Sequence, residues 1–476
     1  MSGVLTLLWA LPAVAGVAAF AAGKRAKWAA LAAALLTAAC VAALGCRNLG
    51  AWDYAGPVWS LGIRYAVAID GLSLALCGLT AFLTVLALLS SWKQDLSAGY
   101  WASFLFLESA CMGVFVVRDL FFFYVFWEAV LIPMFFIIGL WGSEGRKHAA
   151  MKFFAFTFFG SIFLLLAFLA LVTKHHQATG VWTWDMTALR GPASGPAALA
   201  IFGALVLGFG VKIPLVPLHT WLPDAHTEAP AAGSIMLAGV LLKLGVYGLL
   251  RIAIPAFPEL SWALLPWLGA IAAINAVYGA LCAMAQTDLK RLVAYSSVAH
   301  LGFCVLGIFS RTPEGLAGGS LQLINHGITT GALFMLVGFL YERAHKRGLS
   351  DYGALVDRAP WMTFFFGFSI FASIGLPGLN GFVGEFMSLA GMTRALPALA
   401  IAGVVGVTLA PAYALPAFGS VFWGEAGKGS VSDKVYDLDP REKTLMWVLS
   451  LSMLAIGLWP RPLLGLIEPA VKGLIQ

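Results

Sequence analysis

Fourteen stretches of this chain run for about twenty residues with almost no charge, and that repetition limits its possible folds more than any motif does. They lie near residues 4–22, 27–46, 70–92, 100–117, 119–141, 150–172, 199–222, 230–254, 262–284, 291–310, 318–342, 362–391, 398–423 and 443–465. A hydrocarbon core about 30 Å thick is crossed by about 20 apolar residues in helical form. The composition agrees: 61% of the 476 residues are hydrophobic and 11% charged, against about half and about a quarter in soluble domains. Mean hydropathy is +0.88. Burial in water cannot hide so much apolar surface, so a soluble enzyme, a disordered chain and a disulfide-built scaffold are excluded. The expected fold is an all-α polytopic membrane protein of about 14 transmembrane helices. The connections 47–69, 173–198, 343–361 and 424–442 are polar enough to lie at the membrane surface.

Charge sets the orientation. No basic residue precedes the first apolar run, while Lys24, Arg25 and Lys27 follow it, which suits an uncleaved first span rather than a signal peptide. Connections after odd-numbered spans hold seventeen basic residues, including Lys93, Arg146, Lys147, Lys152, Lys290, Arg291, Arg343, Arg347 and Lys428. The opposite side holds ten, including Arg47, Arg64, Arg118, Arg251 and Lys472. The positive-inside bias puts the odd connections in the cytoplasm and both termini outside. The formal net charge of +6 is small for this length. It reads as orienting charge, not as a nucleic-acid footprint.

Two basic residues remain, Lys212 and Lys243, and both fall near the middle of spans, the seventh and eighth. A lysine at mid-membrane costs about 2.5–3.5 kcal/mol and usually faces a polar interior. Glu128 in span five and Glu385 in span twelve match them, with Glu108 in span four a weaker third. His300 and His326 fall inside spans ten and eleven. A single buried histidine is more often structural, but ionisable groups recurring along successive spans point to proton transfer. Burial disfavours a lysine's charge and a neighbouring carboxylate favours it, so a lysine held between the two can exchange protons. Glu128 is the natural partner for Lys212. Lys243, the two histidines and Glu385 then continue the relay, with water bridging groups on different helices.

Two spans are expected to be discontinuous. Span seven contains Val211 to Pro223, VKIPLVPLHTWLP, whose Pro214 and Pro217 remove backbone donors just after Lys212. Span twelve contains Gly375 to Phe386, GLPGLNGFVGEF, around Glu385. Irregular backbone at membrane depth is tolerated only against protein or a watery cavity. The breaks lie five spans apart, which fits two inverted five-helix repeats. The organisation is then residues 1–97 (spans one to three), 98–254 (first repeat), 255–424 (second, inverted repeat) and 425–476 (charged loop and span fourteen), with half-channels opening to opposite faces.

Other features have plainer readings. His219 and His226 flank the WLPD stretch near the outer end of span seven or just past it, without the spacing of a metal site. Asp224 and Glu228 read as caps for span eight, Arg251 as snorkelling, and Lys290 with Arg291 as orienting charge. The loop 424–442 reads as solvated surface touching a neighbouring subunit, and the seventeen tryptophans as an interfacial belt. The six cysteines form no C-x-x-C and read as small packed hydrophobes. There is no G-x-G-x-x-G or Walker loop. Neither a metal nor a cofactor site is expected in this chain.

His219 to Arg251, HTWLPDAHTEAPAAGSIMLAGVLLKLGVYGLLR, resembles the antiporter-like subunits of respiratory complex I, the proton-translocating NADH:quinone oxidoreductase. So do Ala285 to Phe303, AQTDLKRLVAYSSVAHLGF, Leu323 to Phe334, LINHGITTGALF, and Phe126 to Gly142, FWEAVLIPMFFIIGLWG. Within that group Glu385, in a GEF context where the L and N types place lysine, is similar to the M, or chain-four, type. The chain also stops soon after span fourteen, without the long lateral helix of the L type. The resemblance implies that Glu128 and Lys212 are the family's ion pair, Lys243 the central relay lysine, His300 and His326 relay histidines, and Glu385 the terminal donor and acceptor. Glu108 and His219 follow as secondary positions. It further implies FMN, iron–sulfur clusters, NADH and quinone on other subunits, the neighbouring subunits L and N and the lipid bilayer as partners, and a bacterial cytoplasmic (inner) membrane. The alternative is a subunit of a multisubunit Na+/H+ antiporter or an ion-pumping membrane-bound hydrogenase, whose chains more often carry lysine where Glu385 stands.

Overall fold

A computed structural model describes residues 2–46, 52–425, 427 and 430–475. Arg47 and Lys428, counted above among the orienting charges, lie outside the described residues. Each of the fourteen apolar stretches contains helix. The α-helices of eight residues or more are α1 Ser2–Ala21, α2 Ala26–Gly45, α3 Gly71–Ser90, α4 Ala98–Val116, α5 Leu120–Trp141, α6 Arg146–Thr179, α7 Pro196–Lys212, α8 Trp221–Glu228 and α9 Ala231–Ala256. They continue with α10 Leu265–Met284, α11 Leu289–Ile308, α12 Pro313–Ala344, α13 Pro360–Ser373, α14 Asn380–Ala395, α15 Pro397–Phe422, α16 Pro440–Leu458 and α17 Arg461–Lys472. Among the described residues, eleven helices are long and apolar enough to cross a membrane, or twelve if the pair beginning at Pro440 is one span. The other two stretches are the broken ones. α7 and α8 share one and α13 and α14 the other, and α7 and α13 are apolar but too short to cross alone.

Several boundaries depart from the sequence reading for identifiable reasons. α6 runs for 34 residues, about 51 Å at 1.5 Å per residue, because nothing in LVTKHHQAT interrupts it before Gly180, whose φ of 73° forms the left-handed cap. The connection 173–198 therefore begins inside a helix. The fourteenth span stops at Leu458, not 465, and the chain turns by 69° into α17, which buries Ile467 and Val471 against α3 and α12. The fold is not wholly helical: in the connection 47–69, β1 Trp52–Val58 pairs antiparallel with β2 Arg64–Ile69, Trp52 opposite Ile69. In β2 the buried residues are Ala66, Val67 and Ile69, so the hairpin lies down on the bundle.

Capping follows the local sequence. Asp70, Asp119, Asp288 and Asp439 each accept backbone N–H bonds at the first turn of α3, α5, α11 and α16. The loop 424–442 is tied to its own chain. Asp437 accepts from the amides of Trp361 and Met362, and Arg343 donates to the carbonyls of Tyr436 and Asp437.

The bundle has a protein-enclosed centre and a lipid-facing rim. The most apolar window of α12 is 100% buried and that of α9 is 94%, whereas α1, α2 and α15 are about one-third buried or less. Polar side chains on α9 and α12 thus have no lipid to face, and their length is used within protein.

Candidate functional site

The two breaks are held by buried amides. At the first, Leu215 N–H reaches back to Gly210 O at 2.8 Å. Val216 N–H, past Pro214, donates to Asn275 Oδ1 of α10 at 2.6 Å. Asn275 Nδ2 in turn donates to Pro214 O and Val298 O, both at 3.2 Å. At the second break Gly375 and Gly378 take φ of 77° and 94°, a region that glycine enters freely. There Asn325 of α12 and Asn380 of α14 clasp: Asn325 Nδ2 donates to Asn380 O (2.7 Å) and Asn380 Nδ2 to Asn325 O (3.1 Å). Thr329 Oγ1 adds a bond to Asn380 Oδ1 (3.2 Å). Buried backbone groups freed by proline and glycine are therefore paired, as membrane depth demands.

Along the enclosed centre four ionisable groups come into direct contact in pairs. Lys243 Nζ on α9 lies 2.6 Å from His326 Nδ1 on α12 and donates to Ala238 O. Ala238 belongs to a π-helical turn, Leu237–Leu241, and a second such turn, Leu249–Ala253, follows. These wide turns on either side of Lys243 are a local deviation often found at functional sites. His300 Nδ1 on α11 lies 2.6 Å from Glu385 Oε1 on α14. His300 Nε2 is 3.1 Å from Ser373 Oγ at the end of α13, and Gln322 Nε2 donates to Glu385 Oε1 at 3.0 Å. The two histidine rings are 5.7 Å apart between centroids. A small polar cavity, lined by His300, His326, Thr329, Ser373 and Asn325, leaves about 10 Å³ for a water's centre, near the threshold for holding one. Contact within each pair corrects the expectation that water must bridge every step.

The other half of the predicted site is arranged differently. Among the described residues no salt bridge joins Glu128 to Lys212. Lys212 Nζ makes no hydrogen bond to a protein atom and instead lies 5.3 Å from the Trp127 ring centroid and 6.0 Å from that of Phe153, a cation–π arrangement. Glu128 is within electrostatic reach of Lys212 and Ser161, and its Oε1 is without a hydrogen-bond partner. Glu108 is fully buried with both oxygens unpartnered, one turn from the buried Cys111 on the same helix. His219 is not brought to this group: it sits against Tyr278 and Tyr295 at 5.3 and 6.3 Å.

Four readings of flanking residues need correction. Residues 219–228 meet the odd-numbered connections. Asp224 pairs with Lys152 (2.5 Å) and Arg291 (3.4 Å), and Glu228 accepts from Gly145 N–H (2.9 Å) and faces Arg347 (3.7 Å). Neither caps α9, whose first residue follows Pro230 without a side-chain cap. Arg251 does not snorkel, because Asp70 grips it with both oxygens. Lys290 is not a solvated orienting charge: it is buried and donates to Ala229 O, in the wall of a 560 Å³ charged cavity shared with Glu342, Arg343 and Arg347.

Residues 117–410 match the family described as NADH:quinone oxidoreductase/Mrp antiporter, TM. A curated relative, NADH-quinone oxidoreductase subunit M of Rhodobacter capsulatus, is 39% identical, with 100% of this chain and 97% of the relative covered. The chain belongs to the NADH-quinone oxidoreductase subunit M family. A solved chain of respiratory complex I from Thermus thermophilus with bound NADH superimposes with a TM-score of 0.89 at 34% identity, covering 99% of this chain and 100% of that one. A chain of the Mrp complex from a Dietzia species shares the fold, with a TM-score of 0.88 at 22% identity over 99% and 97% of the two chains. This chain is thus a multi-pass membrane protein and a subunit of a multisubunit oxidoreductase.

Sequence reasoning missed the residues that hold its site together. Asn275, Gln322, Asn325 and Asn380 are amides inside apolar spans, and a buried amide in such a run is itself a sign of interhelical bonding. Sequence spacing speaks to His226 only as a metal ligand. It is fully buried, stacked on Phe334 at 4.5 Å, with both ring nitrogens unpartnered and Lys290 and Lys243 as its electrostatic neighbours.

Proposed function

We propose that this chain translocates protons as a membrane-arm subunit of complex I, through a relay of Glu128, Lys212, Lys243, His326, His300 and Glu385, with Glu108 and His219 in secondary roles. The observation that carries the reading is the pair of 2.6 Å contacts, Lys243 to His326 and His300 to Glu385, on four different helices of an enclosed centre. A proton on Lys243 Nζ passes to the lone pair of His326 Nδ1. It crosses from the His326 ring to the His300 ring by way of the small polar cavity, and leaves His300 Nδ1 for Glu385 Oε1. The unpaired Lys212, resting on aromatic rings near Glu128, is the open position of a switch that closes as an ion pair. Closing or opening it changes the field at Lys243. Moving one charge against 100 mV costs about 2.3 kcal/mol, the order of a single strong charged hydrogen bond.

In this reading spans four to eight and nine to thirteen are inverted repeats, each with one broken helix, within the division 1–97, 98–254, 255–424 and 425–476. The energy comes from quinone reduction elsewhere, with FMN, iron–sulfur clusters and NADH on other subunits and no redox site here. Subunits L and N flank the chain in a bacterial inner membrane, both termini facing outward.

The test is proton uptake by vesicles carrying the assembled complex, driven by NADH, with and without sodium, alongside identification of the co-purifying chains. Flavin and iron–sulfur partners with sodium-independent pumping are expected. Pumping that requires sodium would favour the cation/proton antiporter reading instead.

A further inference from the structure

We propose that a groove between α1, α4 and α5 is a binding site for one anionic phospholipid of the leaflet on the side of the odd-numbered connections. The groove has a volume of 880 Å³ and is lined by apolar and small side chains, among them Phe20, Gly99, Ser103, Ala110, Ile132 and Trp141. Its rim is open to lipid: Phe20 is 65% and Ile132 59% exposed. From Gly99 to Ala110 it descends about 17 Å along α4, close to the ~15 Å of one leaflet's hydrocarbon, and it ends there. That depth fits acyl chains, whereas a partner's transmembrane helix would need a groove continuing to the other face.

Charge picks the head group. The upper end is marked as the interfacial level by packed aromatics: Trp28 against Trp92 at 4.7 Å, and Tyr100 against Trp141 at 5.3 Å. Phe20 is followed by Lys24, Arg25 and Lys27, and Trp141 by Arg146 and Lys147, five cations opposed by Asp95, Glu144 and, on the Gly145 amide, Glu228, which also faces Arg347. Lys24, Arg25, Arg146 and Lys147 are exposed. A phosphate over this rim meets a net positive surface, and basic residues at that level contribute about 1 kcal/mol each, about fivefold in preference per charge.

The test places a bimane reporter on Ile132→Cys in a Cys46→Ser background of the assembled complex, in vesicles of phosphatidylcholine containing increasing fractions of acyl-brominated phosphatidylglycerol or acyl-brominated phosphatidylcholine. Half-maximal quenching is expected at a mole fraction at least fivefold lower for the anionic lipid. The surface variant Lys24→Gln/Arg25→Gln/Lys147→Gln should lose about fivefold of that preference per charge, and Ser103→Trp, which fills the groove, should abolish it. Equal quenching by the two lipids means an ordinary lipid annulus. Absence of quenching by either means a neighbouring subunit covers the groove. Each of these results overturns the proposal, and the charge variant decides it even where the filled groove prevents assembly.

Discussion

Replacing Lys243 by methionine removes the ammonium that His326 touches while keeping most of the unbranched stem. Lysine at mid-span costs about 2.5–3.5 kcal/mol to insert, and its bonds to Ala238 O and His326 return about 1.5–3 kcal/mol each as charged hydrogen bonds. These terms largely offset, so Lys243→Met is expected to assemble with the parent's stability, whereas truncation to alanine would add a cavity penalty of about 2–5 kcal/mol. The variant therefore separates chemistry from folding. In proteoliposomes carrying the complex, NADH oxidation measured with an uncoupler should persist, while protons pumped per NADH fall by the share this chain carries. His326 is left intact but with no donor on α9. An assembled Lys243→Met complex that pumps at the parent's proton-to-electron ratio would refute the reasoning, because among the described residues Lys243 is the ammonium bonded to His326 Nδ1.

Asn275→Leu should destabilise the subunit by about 1–3 kcal/mol for each buried group it leaves unpaired, chiefly Val216 N–H. A thermal-stability assay in detergent that finds the parent's midpoint would show the first break to be self-sufficient. On the face of the even-numbered connections, burial pushes the Asp185 carboxyl up, but the hydroxyl and amide of Thr187 and the guanidinium groups of Arg118 and Arg64 outweigh it and hold it below the ordinary aspartate range. A lowered carboxyl contributes stability above its unfolded value, about 3.9, and loses it as pH falls through the folded one. Protection of the β1 and β2 amides, taken relative to the intrinsic exchange rate at each pH, should therefore stay flat from pH 7 to 5 and fall only below about pH 4, and a loss of protection centred near neutrality would contradict this.

The charged residues of the site are legible in the sequence because an ammonium or carboxylate inside a twenty-residue apolar run has a cost that local structure cannot explain. The breaks are legible because Pro214, Pro217, Gly375 and Pro377 stand where helix is otherwise continuous. Which groups touch is not legible, since that depends on how each helix is rotated about its axis. Lys243 and His326 meet directly where water was expected, while Lys212, expected against Glu128, lies over Trp127. Lys290 misled because a lysine at a helix start reads as solvated, and only the packing of α11 against the chain near Ala229 shows it buried. The β1–β2 hairpin escaped because its alternation is short and sits in a connection that hydropathy treats as surface.

The most direct test of the relay is time-resolved infrared difference spectroscopy of the complex in membranes after a pulse of NADH, comparing the parent with Glu385→Gln. The account predicts a carboxyl C=O band that rises and decays with turnover in the parent and vanishes in the variant. A parent spectrum without such a band, or one that Glu385→Gln leaves unchanged, would mean that Glu385 does not carry a proton and that the contacts along α9, α12, α11 and α14 are structural.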